Sequence, residues 1–166
     1  MRLILGGFGD PTGQFIAAWV AGRIPHVGNA ESFGLYSSIG VLSSDGTHLL
    51  GGVVYHNYVP AYRSIEISTA SETPRWLTKS VIAGIFAYPW TQLQVERIQA
   101  CTPKSSASAR RFLEKFGFRR EGAHRKAYGE YGDAISYGLL RSDWEASRWA
   151  RGRVVGQEDP HRSDAA

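Results

Sequence analysis

The stretch SSASARRFLEKFGFRREG, Ser105 to Gly122, decides the reading of the fold. Apolar residues recur at Ala109, Phe112, Leu113 and Phe116, the i, i+3, i+4, i+7 stripe of a helix with one face committed to a core. Ser105 or Ser106 can accept a hydrogen bond from the unpaired N–H groups of the first turn, and Gly117 supplies the left-handed residue that stops the helix. The stretch therefore predicts a capped helix over 105–116, a stop, and a strand from Phe118.

Outward from this anchor, Arg97 to Thr102 reads as a strand, and Phe118 to Tyr128 and Ala134 to Leu140 as a pair around Gly129-Glu130-Tyr131-Gly132-Asp133. Upstream, a helix is predicted from Arg75 to Tyr88, with Leu77, Val81, Ile85 and Tyr88 along one side and Pro89 ending it. Leu35 to Leu42, His48 to Tyr58 and Ser64 to Thr69 read as strands. The first two are joined through Ser43-Ser44-Asp45-Gly46, where Asp-Gly suits positive φ. The chain begins with a strand at Arg2 to Leu5 and the glycine-rich GGFGDPTG. A helix from Gly13 to Arg23 follows, capped by Asp10 or Thr12, with Phe15, Ile16, Trp19 and Val20 on its apolar side. The expected class is α/β (α+β): a mixed, mostly antiparallel central sheet flanked by helices, one domain over 1–145. Residues 146–166 are expected to be a partly disordered tail.

At 166 residues, 43% of them hydrophobic, the chain can bury one good core. No run approaches about 18 consecutive apolar residues, so neither a membrane span nor a signal peptide is expected, and a cytoplasmic location is the default. The single cysteine, Cys101, cannot form an internal disulfide, which suits a reducing compartment; within RIQACT it is expected to be a small buried side chain. Charge is uneven. Residues 97–153 hold 13 Lys or Arg against 6 Asp or Glu, whereas residues 1–96 hold 5 against 6. Such a basic half attracts an anionic ligand, a nucleotide cofactor or a nucleic acid. Phe112, Phe116, Phe118, Tyr128, Tyr131, Trp144 and Trp149 interleave with it, at spacings that suit a core better than a stacking surface.

Ala107-Ser108, a run of helix formers, then Glu114-Lys115-x-Gly117-Phe118 with Arg119-Arg120-Glu121-Gly122 after it resembles the final helix and strand of the GNAT N-acetyltransferases. The likeness is strongest to their ribosomal-protein-alanine acetyltransferase (RimJ/RimL-like) branch. The predicted element order resembles theirs too, except that His26 to Gly34 carries only loop signals where the family usually has a second helix. The resemblance spans 1–145 and is carried mainly by Ser64 to Arg141. It implies acetyl-CoA as cofactor and direct transfer to an amine, with no covalent enzyme intermediate. In the family, the loop into the central helix carries Arg or Gln-x-x-Gly-x-Gly or Ala, and its amides cradle the pyrophosphate. Here Arg75-Trp76-Leu77-Thr78-Lys79-Ser80 stands in that place, with hydroxyl residues replacing the small ones. A helix N-terminus favours a pyrophosphate in any case.

The resemblance also implies roles for single residues. Glu66, an acid within SIEISTAS, stands where many members have a general base, which takes a proton from the acceptor directly or through water. Facing solvent is its alternative reading. Backbone groups of Ser68, Thr69 and Ala70 would bond the pantetheine arm, one N–H polarising the thioester carbonyl. The family's usual acid is a Tyr four residues before the Gly-Phe pair; that position is Leu113 here. Ser105, Ser108 and Tyr128 are the remaining donors for the departing thiolate, with helix capping as the alternative for the serines.

GGFGDPTG spaces its glycines one residue too far for a dinucleotide fingerprint and lacks the Lys-Ser or Lys-Thr of a P-loop, so it reads as a turn. His26, His48, His56, His124 and His161 show no metal-ligand spacing, and no metal site is expected. His56 and Tyr58 either line an acceptor cleft or are half-exposed strand residues. Three functional classes remain: an N-acetyltransferase, a catalytically silent acyl-CoA-binding or interaction module, and a nucleic-acid binder. The acceptor is open among a protein N-terminus, an aminoacyl group and a small amine, a ribosomal or nucleic-acid-associated substrate included. A homodimer is compatible with the sequence.

Overall fold

The computed structural model of the protein describes residues 1–150. Its strands are β1 (Arg2–Gly7), β2 (Tyr36–Leu42), β3 (Leu49–Val59), β4 (Ser64–Ser71), β5 (Arg97–Pro103), β6 (Arg119–His124) and β7 (Ala134–Leu140). They form one sheet in the order β1-β2-β3-β4-β5-β7-β6. Every neighbouring pair is antiparallel except β4 and β5. A parallel pair needs a crossover, which α2 (Lys79–Ala87) supplies; α1 (Pro11–Ala21), α3 (Ala107–Lys115) and α4 (Arg141–Ala146) complete the helices. This is the expected mixed, mostly antiparallel sheet flanked by helices.

The two faces of the sheet have separate cores. On one face, Ile16, Ala17, Val20 and Ala21 of α1 pack on Val54, Tyr36 and Phe33. On the other, Val81, Ile82, Ile85 and Phe86 of α2 and Leu113 and Phe116 around α3 cover Ile65, Ile67, Ile98, Ala100, Ile135, Tyr137 and Leu139. The anchor stretch behaves as read: Leu113 and Phe116 are buried and Gly117 sits at φ +90. Phe116, Phe118 and Trp144 are core.

Several local expectations are corrected. The central helix begins at Lys79 and not at Arg75. Pro74–Trp76 forms a separate 3-10 turn, and Thr78 Oγ1 accepts from Val81 N at 3.3 Å, which fixes the helix start. Around α1, Phe15 is exposed while Ala17 is buried. The cause is close backbone approach: a Cβ on Gly13 would stand 2.2 Å from Gly7 O, so the glycine edge of α1 lies against β1 and turns Phe15 outward. Asp10, not Thr12, caps this helix. β6 stops at His124, because Lys126 takes positive φ and donates its N–H to Asp133 Oδ1. Cys101 is exposed, since Ile98, Ala100 and Thr102 turn to the face covered by α2 and α3 and Cys101 to the other. At the C-terminal end, α4 and Trp149 extend the packed region past 145, Trp149 Nε1 donating to Lys115 O. The rest of the expected tail lies outside the described residues.

Candidate functional site

The cleft arises from the one parallel pairing. β4 and β5 are paired only at Ser64 with Arg97, Ile65 with Ile98 and Glu66 with Gln99, yet β4 continues to Ser71 and β5 to Pro103. Beyond Glu66 the strands splay, while β4 stays paired to β3 and β5 to β7. A cleft of about 780 Å³ opens in the gap, walled by Ile67–Ser71, Ala100–Pro103 and the start of α3.

The sheet register fixes which backbone groups face this cleft. Glu72 N donates to Leu50 O on the β3 side, and Arg63 O accepts from β5-side amides. Alternate residues of an extended strand address the same neighbour. Even-numbered residues of β4 therefore bond to β3, and odd-numbered ones face β5, which corrects the expectation for Ser68 and Ala70: their backbone groups are taken by the sheet, and of the three only Thr69 presents its own to the cleft. Past the Glu66 and Gln99 pair, Thr69 is the first residue whose N–H and C=O both point where no strand stands. An unpaired strand edge of this kind is a template for an extended ligand.

Side chains complete the walls. Ser68 lines the cleft and its Oγ lies 2.9 Å from His56 Nε2; Thr69 and Ala70 line it too. At the start of α3, Ser105, Ser106 and Ser108 line the opposite wall. Ser106 occupies the N-cap position without a side-chain cap bond, and the turn is closed by backbone groups. The three hydroxyls have no protein hydrogen-bond partner among the described residues, so capping does not occupy them. Leu113, in the family's Tyr position, is buried and apolar at the cleft wall. Arg23, held to Glu72 at 2.6 Å, stands at the rim.

Glu66 lies at the vertex, half-buried, one strand residue short of the cleft, and its Oε2 accepts from Asn57 Nδ2 at 2.9 Å. Tyr128 stacks on His26 with ring centroids 4.0 Å apart. Burial first, then the charges of Cys101 and Glu66, push its hydroxyl well above the usual tyrosine range, so Tyr128 keeps its proton at neutral pH. Cys101, although its side chain reaches solvent through the cleft, is partly desolvated by the surrounding walls, and this first, then Glu66, raises its thiol, which stays protonated. His56 is buried, and Tyr58 is exposed; neither lines the cleft.

The stretch 75–80 is divided by the structure. Trp76 is buried, its ring filling the space above Gly51, so its side chain belongs to the core. Leu77 is half-buried and Arg75 is exposed. Thr78, Lys79 and Ser80 form the exposed first turn of α2, with Thr78 Oγ1 3.0 Å from Ser80 Oγ. Trp76, Leu77 and Lys79 line a second groove of about 380 Å³, which shares Ser71 and Phe112 with the first. A continuous path thus runs from the strand edge past Phe112 toward the α2 N-terminus. Among the described residues, no group of three or more His, Cys, Asp or Glu is placed to hold a metal ion.

The fold as a whole is shared with solved structures. A spermidine N-acetyltransferase of Vibrio cholerae, in a dodecameric structure, superposes with a TM-score of 0.66 at 18% identity, covering 86% of this chain and 96% of that one. This is the GNAT acetyltransferase fold. The GNAT ribosomal-protein-S5-alanine acetyltransferase of Vibrio fischeri matches with a TM-score of 0.63 at 14% identity over 87% and 96% of the two chains. A variant of the Vibrio cholerae spermidine enzyme matches at 21% identity, TM-score 0.56, over 66% and 68%. No protein-family model and no curated protein sequence matches the chain. Within this GNAT fold the first connection has a 3-10 turn at Ala30–Phe33 in place of a second helix.

Sequence reasoning missed the His56 and Ser68 pair, the His26 stack on Tyr128 and the exposure of Cys101. The first had a legible signal: His56 and Glu66 flank one hairpin and are direct register partners across it. The His26 stack had none, because it depends on where two loops meet.

Proposed function

We propose that the protein is an acetyl-CoA-dependent N-acetyltransferase that passes the acetyl group directly to a primary amine. The observation carrying this is the unpaired β4 edge at Thr69 along an open cleft, on a fold whose solved neighbours are acetyltransferases. The residues fit the cofactor. An extended arm bearing amides needs backbone donors and acceptors at alternate residues along one edge, which the Ile67 carbonyl and then Thr69 and Ser71 offer. A pyrophosphate needs an amide-rich, cationic end, which Thr78, Lys79 and Ser80 offer at the α2 N-terminus with Arg75 nearby. Bound there, acetyl-CoA supplies a thioester carbonyl to the acceptor.

Glu66 serves as base, reaching the acceptor through water from the vertex. Tyr128, Ser105 and Ser108 are the protonated hydroxyls that can return a proton to the leaving sulfur. The acceptor is a protein N-terminus, an aminoacyl group or a small amine. A homodimer belongs to the same proposal, and sedimentation velocity measures it.

Calorimetry with acetyl-CoA, followed by thiol release on a panel of amines, tests the reading. Binding with turnover on one amine supports it, and Glu66→Gln then lowers turnover by about 10²-fold, the usual share of a general base. No binding at millimolar acetyl-CoA removes the cofactor. Binding without turnover on any amine leaves the silent module as the description.

A further inference from the structure

We infer that the acceptor amine loses its proton to Ser68, which passes its own hydroxyl proton to His56, making His56 a second base beside Glu66. This rests on the acetyltransferase reading and goes beyond it in assigning a role to a buried side chain. Along β4, Glu66 and Ser68 point to the same face, two residues apart. Glu66 belongs to the last strand pair before the splay, whereas Ser68 lines the cleft itself. Of the two polar side chains, Ser68 is therefore the one in contact with the cleft. Its Oγ is 2.9 Å from His56 Nε2. His56 is 7% exposed and does not line the cleft, so Ser68 is its connection to the site.

The surroundings of His56 favour this role. Tyr36 stands opposite on β2, and Glu66 stands opposite on β4. The ring of Phe33, from the 3-10 turn, lies 5.1 Å away on a third side. Burial holds His56 below the ordinary histidine value, and Glu66 acts in the opposite direction. Burial raises Tyr36, so that hydroxyl stays neutral. His56 thus rests as neutral imidazole with a carboxylate as the facing charge. With Nε2 unprotonated, the Ser68 hydroxyl donates to it and leaves oxygen lone pairs for an ammonium N–H in the cleft.

The proton count closes. The ammonium gives its first proton to Ser68 Oγ and Ser68 gives one to His56 Nε2, leaving a neutral amine, an intact serine and an imidazolium facing Glu66; the second N–H proton, shed as the amide forms, goes through water to Glu66. Release to water resets the imidazole after the amide has formed.

The test combines histidine ¹⁵N spectra of the cofactor-free protein with pH profiles of kcat/KM for the amine found in the panel. For the wild type, His56 Nε2 is expected to be unprotonated at neutral pH and to shift in Ser68→Ala. His56→Gln and Ser68→Ala should each lose at least about 10-fold in kcat/KM, with calorimetric acetyl-CoA affinity unchanged. His56→Gln should also lose the acid limb of the profile that His56 sets, while Ser68→Thr keeps rate and limb. Ser68 is only half-buried, so its variants keep the test open if His56→Gln fails to fold. A protonated Nε2 in the resting protein, or an unchanged profile in Ser68→Ala, overturns the relay with the acetyltransferase reading intact. Absence of acetyl-CoA binding in the wild type overturns that reading, and the relay with it.

Discussion

Replacing Thr69 by proline separates the two edges of β4. Alternation assigns the Ser68 N–H to β3 and the Thr69 N–H to the open cleft, where it has no protein partner. Proline removes an N–H and narrows φ. At Thr69 the folded protein loses no ladder bond, so the stability cost is the φ restriction alone, about 1 kcal/mol. For a chain of 166 residues that lowers Tm by roughly 2–4 °C. Binding loses more. One hydrogen bond to a neutral carbonyl contributes about 1–1.5 kcal/mol, which is a rise in Kd for acetyl-CoA of about 5- to 13-fold. Ser68→Pro is the contrasting variant: it breaks a ladder bond inside the sheet and should cost about 3 kcal/mol or more. Thermal unfolding and calorimetry on both variants measure the difference. If Thr69→Pro is as destabilising as Ser68→Pro, the Thr69 amide is paired within the fold and the free-edge argument is wrong. If it folds well and binds acetyl-CoA as tightly as the wild type, the amide does not contact the cofactor.

Two further outcomes are expected. Gly13→Ala puts a Cβ 2.2 Å from Gly7 O and 2.7 Å from Gly7 N, backbone atoms that cannot swing aside. The helix-propensity gain of about 1 kcal/mol is outweighed, and urea unfolding should show a net loss of about 2 kcal/mol. Gly84→Ala meets the movable end of Leu3 instead and should change stability by less than about 1 kcal/mol; equal losses at both sites would refute the distinction. Stability should also fall with pH in a defined window. Burial depresses both His56 and His26, so below about 6.5 the unfolded chain binds more protons than the folded one. Their contribution is complete above that pH and is lost as pH falls toward the lower folded values. The urea midpoint should decline between pH 7 and 5, less steeply in His56→Gln, and equal slopes would count against a neutral buried imidazole.

The element order was legible because each segment carries its own period, and the anchor helix because its stripe and Gly117 agree. Where one signal served two structures, the reading slipped. Leu77 continues the apolar period of the central helix and Trp76 stands beside it, yet they sit in a connecting residue and a 3-10 turn, because core filling requires an apolar side chain without requiring helical backbone. Thr78, whose hydroxyl caps Val81, marked the true start and was outweighed by that period. Phe15 looked like a core residue because periodicity does not record that Gly13 must touch backbone.

The site was less legible than the fold for a topological reason. Its cleft exists because β5 follows β7 and leaves β4 after three residue pairs, and no local pattern states when two strands part. Glu66 and Ser68 share one face and one strand, so alternation alone ranks the acid first. The parting point reverses their access, with Glu66 on the closed side and Ser68 on the open one. Register decides the rest. The hairpin between β3 and β4 passes through Asn57 and Arg63, both at positive φ, and shifts register between His56 and Val59. That irregular turn sets His56 opposite Glu66 and within reach of Ser68. Proton transfer in this cleft therefore depends on the turn as much as on the acid, and a one-residue slip there would carry His56 to the other face of the sheet.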